Sequence, residues 1–225
     1  MAASIPSSRS YLNTDRLAFM TLESIRQYLG DGGMSARSLC ETMLERVRFL
    51  NPSLGAYSDV IEERALENAS ASAAKHRSSA VLSPLDGVPI AVKDLIDTTP
   101  TRCKSGLDHL SNYRPERDAL VVRRLRSAGA IVIGVTETDS GAFGASTPAV
   151  VNPLASDRIA GGSSGGTAAA VAAGLAFAAV LEPTRAAASA SRPSAARPTV
   201  SNPAGGESPS TGSARSRHHS TTSGR

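Results

Sequence analysis

Two short runs, Val88 to Val92 and Ala130 to Gly134, contain no polar residue on either alternating position. A strand with one wet face would alternate, so such runs fit strands covered on both sides, as in an α/β sheet. Between them Asp118 stands where it would cap a helix from Ala119 to Ala128, and Gly129 follows as a stop. Strand, helix and strand in succession predict an α/β sheet buried on both faces. A third piece, Gly166 to Gly174, is helix built from small residues, which allow close approach to neighbours and suit a central position. It runs into the 13-residue apolar run Ala168 to Val180, which reads as a buried helix continuing into a strand. That run is shorter than the roughly 20 residues needed to cross a bilayer.

Upstream, residues 1–19 read as a flexible polar leader. Leu22, Ile25 and Leu29 then recur at helical spacing behind Thr21 as N-cap, with Gly30 as a stop. Ser35 precedes a second apolar stripe, Leu39, Met43, Val47 and Leu50, which Asn51-Pro52 should close. Residues Val60 to Lys75 are rich in Ala and Glu and predict a third helix. The expected organisation is a leader over 1–19, one incomplete domain over 20–180, and a low-complexity tail over 181–225.

The tail holds ten Ser, five Pro, six Arg and no Lys, with Leu181 and Val200 as its only apolar side chains larger than alanine. It cannot bury enough surface to offset its ordering entropy, so disorder is expected. Its charge of +4 equals that of the whole 225-residue chain, which leaves the first 180 residues neutral. The basic excess has no aromatic residues and no compact cluster, which argues against nucleic-acid binding. Cys40 and Cys103 are isolated, without metal-ligand spacing, and read as reduced thiols of a cytoplasmic protein that has no signal peptide and no membrane span. No cofactor or metal is implied.

Chemistry concentrates in two strings. Gly87-Val88-Pro89-Ile90-Ala91-Val92-Lys93-Asp94 ends an apolar strand on a lysine. A strand-end lysine is most often solvent-exposed; a catalytic one must be desolvated, because burial disfavours the ammonium and frees the amine to accept a proton. The second string, Gly161-Gly162-Ser163-Ser164-Gly165-Gly166, opens the small-residue helix. It lacks the Gly-Lys-Ser/Thr ending and the GxGxxG spacing of nucleotide loops. A plain flexible turn, or a tight turn presenting a serine hydroxyl between permissive glycines, both remain open on this string alone.

In order, PLDGVPIAVKDLIDT, DALVVRRLRSAGAIVIGVTET and RIAGGSSGGTAAAVAAGLAFAAV closely resemble the amidase signature family, over roughly residues 20 to 180. The resemblance implies a mixed sheet flanked by helices. It also implies that Lys93 is the catalytic lysine, that Ser163, after a cis peptide bond, bridges lysine and nucleophile, and that Ser164, with Gly161, Gly162, Gly165 and Gly166, supports the loop. The family often has Lys and Asn where Val135 and Glu137 stand, and a Glu-Phe pair around Gly141 to Phe143, so subfamily and substrate stay open.

In that family the nucleophilic serine and the oxyanion donors come from a GTDTGGS loop. At the expected spacing, 24 residues past Ser163, this chain has Ala187 within LEPTRAAASASRP. Synonymous codons for that stretch exist which, read from the third nucleotide, encode GTDTGGSVRIPA, and the shifted reading can continue as GVEPSRGRVPID. The tail therefore reads as out-of-frame translation. The resemblance implies hydrolysis of a small-molecule amide by a Ser-Ser-Lys relay, with this chain catalytically incomplete and its apolar surface partly uncovered. Alternatives are a glutaminase component of a tRNA-dependent amidotransferase, or a non-catalytic binding fragment.

Overall fold

The computed structural model describes residues 16–81 and 83–181; the expectations for 1–15 and for the tail from residue 182 lie outside them. In chain order the elements are α1 (Leu22–Gly30), α2 (Ala36–Leu54), β1 (Tyr57–Val60), α3 (Glu62–Arg77), β2 (Pro89–Lys93), α4 (Leu120–Ser127), β3 (Ile131–Thr136), α5 (Gly165–Ala172) and β4 (Ala178–Val180). Single 3-10 turns occur at Asp108–Leu110 and Ser140–Ala142.

The four strands form one sheet in the order β1-β3-β2-β4. β2 runs parallel to both neighbours and β1 runs antiparallel to β3, so the sheet is mixed. Every residue of β2 and β3 is buried, as the unbroken apolar runs require. The chain leaves β2 for β3 on one side and comes back to β4 on the other. The carboxyl end of β2 is thus where successive connections diverge, the place at which open α/β sheets gather their functional groups.

Local chemistry explains most boundaries. Thr21 and Ser35 accept from the backbone N–H of Ser24 and Ser38 at the starts of α1 and α2. α2 does not stop at Asn51-Pro52 but continues to Leu54, and Gly55, in the left-handed region at φ 64°, closes it by donating to Asn51 O. A proline in the last turn forfeits one helical donor without stopping the turn. Asp118 does not cap α4: its carboxylate accepts from the Thr99 N–H at 2.7 Å and ion-pairs with Arg126 at 3.3 Å, while the α4 N-cap is Ala119 without a side-chain bond. β1 is absent from the sequence expectation, because Tyr57-Ser58-Asp59-Val60 is too short and too polar to carry a strand pattern.

The end of the expected leader belongs to the core. Leu17 and Ala18 are buried, and Phe19 lies under the Arg46 guanidinium at 5.8 Å. Arg46 is itself buried and donates to Ala173 O and Gly174 O, the two carbonyls just past the end of α5.

Gly134 marks the tightest strand contact. A Cβ there would lie 2.2 Å from Asp59 O and 2.9 Å from Val60 Cα, both backbone atoms that cannot rotate away. Gly134→Ala is therefore expected to destabilise the fold by about 1–3 kcal/mol, read as a lowered urea midpoint with an unchanged m-value.

Candidate active site

The site begins at the end of β2. Lys93 is fully buried, at 0 % exposure, contrary to the usual fate of a strand-end lysine. Its Nζ donates to Ser163 Oγ at 2.8 Å, across 70 residues of sequence. Strand β2 aims the lysine from the sheet, and the loop before α5 brings the serine to meet it.

That loop is fixed from several directions. Gly161 sits at φ 81° and its carbonyl accepts from Thr147 N; the Gly162–Ser163 peptide is cis. The Ser163 carbonyl accepts from Thr138 Oγ1 at 2.8 Å and Thr147 Oγ1 at 3.3 Å, and the Gly165 N–H donates to Thr147 Oγ1 at 3.1 Å. Ser164 is buried as the residue preceding α5, and its carbonyl accepts from Ala168 N. Gly166 is packed so closely that a Cβ would lie 2.5 Å from Ala56 O and from Glu137 N and O. The glycines of this string are required by contact as much as by conformation.

Thr138 and Thr147 hold the serine loop, yet neither is signalled in the sequence; each stands in a loop where periodicity says nothing. Thr136 Oγ1 and Thr167 Oγ1 lie 2.7 Å apart and tie β3 to α5 beside them.

Asp94, also fully buried, follows the lysine. The Ser58 hydroxyl donates to its Oδ2 at 3.2 Å, and its backbone N–H donates to Thr136 O. Burial pushes its carboxyl up to about 6, and the nearby Glu137 carboxylate adds to the rise; Ser105 N–H, Ser58 and Lys104 offset part of it. Cys40 and Cys103 are free and buried, and burial raises both thiols, Cys40 to about 12. Among the described residues no group of His, Cys, Asp or Glu is arranged to hold a metal, and no helix is long and apolar enough to cross a membrane.

A mixed α/β sheet with a buried amine and a buried hydroxyl joined at the carboxyl end of its central strand defines an enzyme-like scaffold. The family model described as Amidase matches residues 38–181, and the chain belongs to that family of hydrolases. It is 38 % identical over 163 residues to a glutamyl-tRNA(Gln) amidotransferase subunit of Chloroflexus aggregans, covering 70 % of this chain and 33 % of that protein. It is 40 % identical over 161 residues to the corresponding protein of Pseudomonas aeruginosa, covering 69 % and 33 %. Among solved structures it resembles the native peptide amidase of Stenotrophomonas maltophilia, with a TM-score of 0.66 and 30 % identity over 71 % of this chain and 35 % of that one. The matched region spans about a third of the length of these relatives.

Two outcomes follow from this geometry. In a double-mutant cycle, Lys93→Met and Ser163→Ala should show a coupling of about 1 kcal/mol in unfolding free energy. Asp94 holds its proton in the folded state where the unfolded chain has released it, so its contribution is complete below about pH 4 and is lost as pH rises through about 6. Asp94→Asn should flatten the fall in stability between those pH values, measured by urea unfolding at closely spaced pH.

Proposed function

We propose that this chain carries the proton-relay half of an amidase of Ser-Ser-Lys type and, as written, does not itself turn over an amide. The observation that supports this reading is the 2.8 Å bond between the buried Lys93 amine and the Ser163 hydroxyl. In such a relay neutral Lys93 accepts a proton from Ser163 as Ser163 takes one from an attacking serine. The reverse passage delivers a proton to the amine as it departs, leaving the acyl group on the attacking serine; the same relay then takes a proton from a water that attacks the acyl-serine and returns it to the serine as the acid leaves. The products are a carboxylic acid and ammonia or an amine.

The attacking serine and its oxyanion donors are what the sequence lacks. Ala187 stands at the serine's spacing, and the stretch from residue 181 has synonymous codings that restore Gly-Thr-Asp-Thr-Gly-Gly-Ser in the shifted frame. We read residues 20–180 as the start of an amidase domain acting in the cytoplasm on a small amide, and the stretch beyond as the product of a frame change. Oxyanion donors are worth about 10²–10³ in rate each, so a chain without them and without a nucleophile has no route to turnover.

The amidotransferase components among its relatives favour a second reading of the parent activity, a glutaminase that passes ammonia to a partner. Glutamine hydrolysis that appears only with a partner protein would single it out; turnover of simple amides by the frame-restored chain alone would count against it.

The test has two parts. The coding DNA across codon 181 should read GTDTGGS in the alternative frame. The chain as written should resist a serine-directed fluorophosphonate and release no ammonia from carboxamides, whereas the frame-restored chain should be labelled and active. Lys93→Ala or Ser163→Ala should then cost it at least about 10²-fold in rate. Labelling with turnover by the chain as written would refute the inactive reading.

A further inference from the structure

We propose that the Lys104–Glu137 ion pair is a positioning clamp, fastening the loop after β2 to the segment between β3 and α5 with both of its charges acting on the nearby Asp94 carboxyl. Lys104 Nζ lies 2.8 Å from Glu137 Oε2, and the glutamate side chain is only 11 % exposed. The pair joins two segments, one of which bears directly on the serine loop while the other packs against the first. Glu137 donates its backbone N–H to Ala56 O and accepts from Gly166 N, so it links β3 to the first turn of α5. On the other side, Ser105 O accepts from Gly141 N. Gly106, at φ 65°, is packed so tightly on Asp139 that a Cβ would lie 2.3 Å from its carbonyl oxygen. Asp139 N in turn contacts Ser163 O at 3.4 Å.

The carboxyl on which both charges of the clamp act belongs to the residue directly after Lys93. The groups facing it are Ser58 on β1, Cys103, Lys104 and Ser105 in the loop after β2, and Glu137 beyond β3, with Lys93 preceding it in the chain. Glu137 and Lys104 act on it with opposite sign: the carboxylate favours the protonated form, the ammonium the ionised one. The clamp thus does more than hold two loops together; its two charges act in opposite senses on a buried acid next in the chain to the relay amine. This inference rests on the preceding reading only for its relevance to Lys93.

The test is the titration of the Asp94 carboxyl carbon by ¹³C NMR on the chain as written, its resonance assigned by its loss in Asp94→Asn. Lys104→Met removes the attracting cation and should raise the midpoint by about half a pH unit or more, while Glu137→Gln should lower it by a similar amount. Loosening of the loops alone would admit water and move both variants downward together. Shifts of the same sign, or no shift in either, would overturn the proposal. Should Lys104→Met fail to fold, Lys104→Arg must leave the midpoint in place while Glu137→Gln lowers it. None of these readouts involves amide turnover, so failure here and failure of the amidase reading are told apart.

Discussion

A primary amine taken wholly out of water at the end of an apolar strand is costly unless something polar receives it. Lys93 is that amine, and Ser163 Oγ at 2.8 Å is one of its recipients. The requirement propagates outward. The serine can reach the lysine only if its loop descends to the sheet, which needs Gly166 without a side chain against Ala56 and Glu137, and Gly162 against Ser146. The loop then buries its own Ser163 carbonyl, to which Thr138 and Thr147 donate their hydroxyls. The threonines and the glycines of this loop serve the placing of one amine and one hydroxyl together in a dry interior.

How far the sequence discloses this depends on the range of the interaction responsible. The first two helix starts are legible because Thr21 and Ser35 act on backbone groups three residues away. β2 and β3 are legible because burial on both faces leaves an unbroken apolar run. Asp118 is misleading because a short carboxylate before a helix has two uses: here the distant Thr99 and Arg126 outcompete the N-terminus of α4. β1 escapes notice because Tyr57, Ser58 and Asp59 are chosen for what lies across from them, not for alternation. Within the site, Lys93 and the Gly161–Gly166 string stand out by type and spacing. Thr138, Thr147 and the Lys104–Glu137 pair do not, since each is defined only by partners far along the chain.

Membership of the amidase family and the short span of the match bear on each other. The described sheet has the central strand, both its parallel neighbours and the lysine-serine contact, yet the matched region covers about a third of the relatives' length. Phe143 is 96 % exposed and Ile159 70 %, in the segment between β3 and the serine loop. Side chains of that size in open solvent are conspicuous in a chain whose two central strands are wholly buried.

Arg46 has a mechanical consequence. Its guanidinium receives the carbonyl end of α5 on one side and covers Phe19 on the other, while Gly174 abuts Ala18. The helix that begins at the serine loop is therefore braced at its far end by residues from the very start of the described chain. Proteolytic trimming through residue 19 would remove a strut from behind that helix, and the slack would be felt about a dozen ångströms away, where the amine meets the hydroxyl.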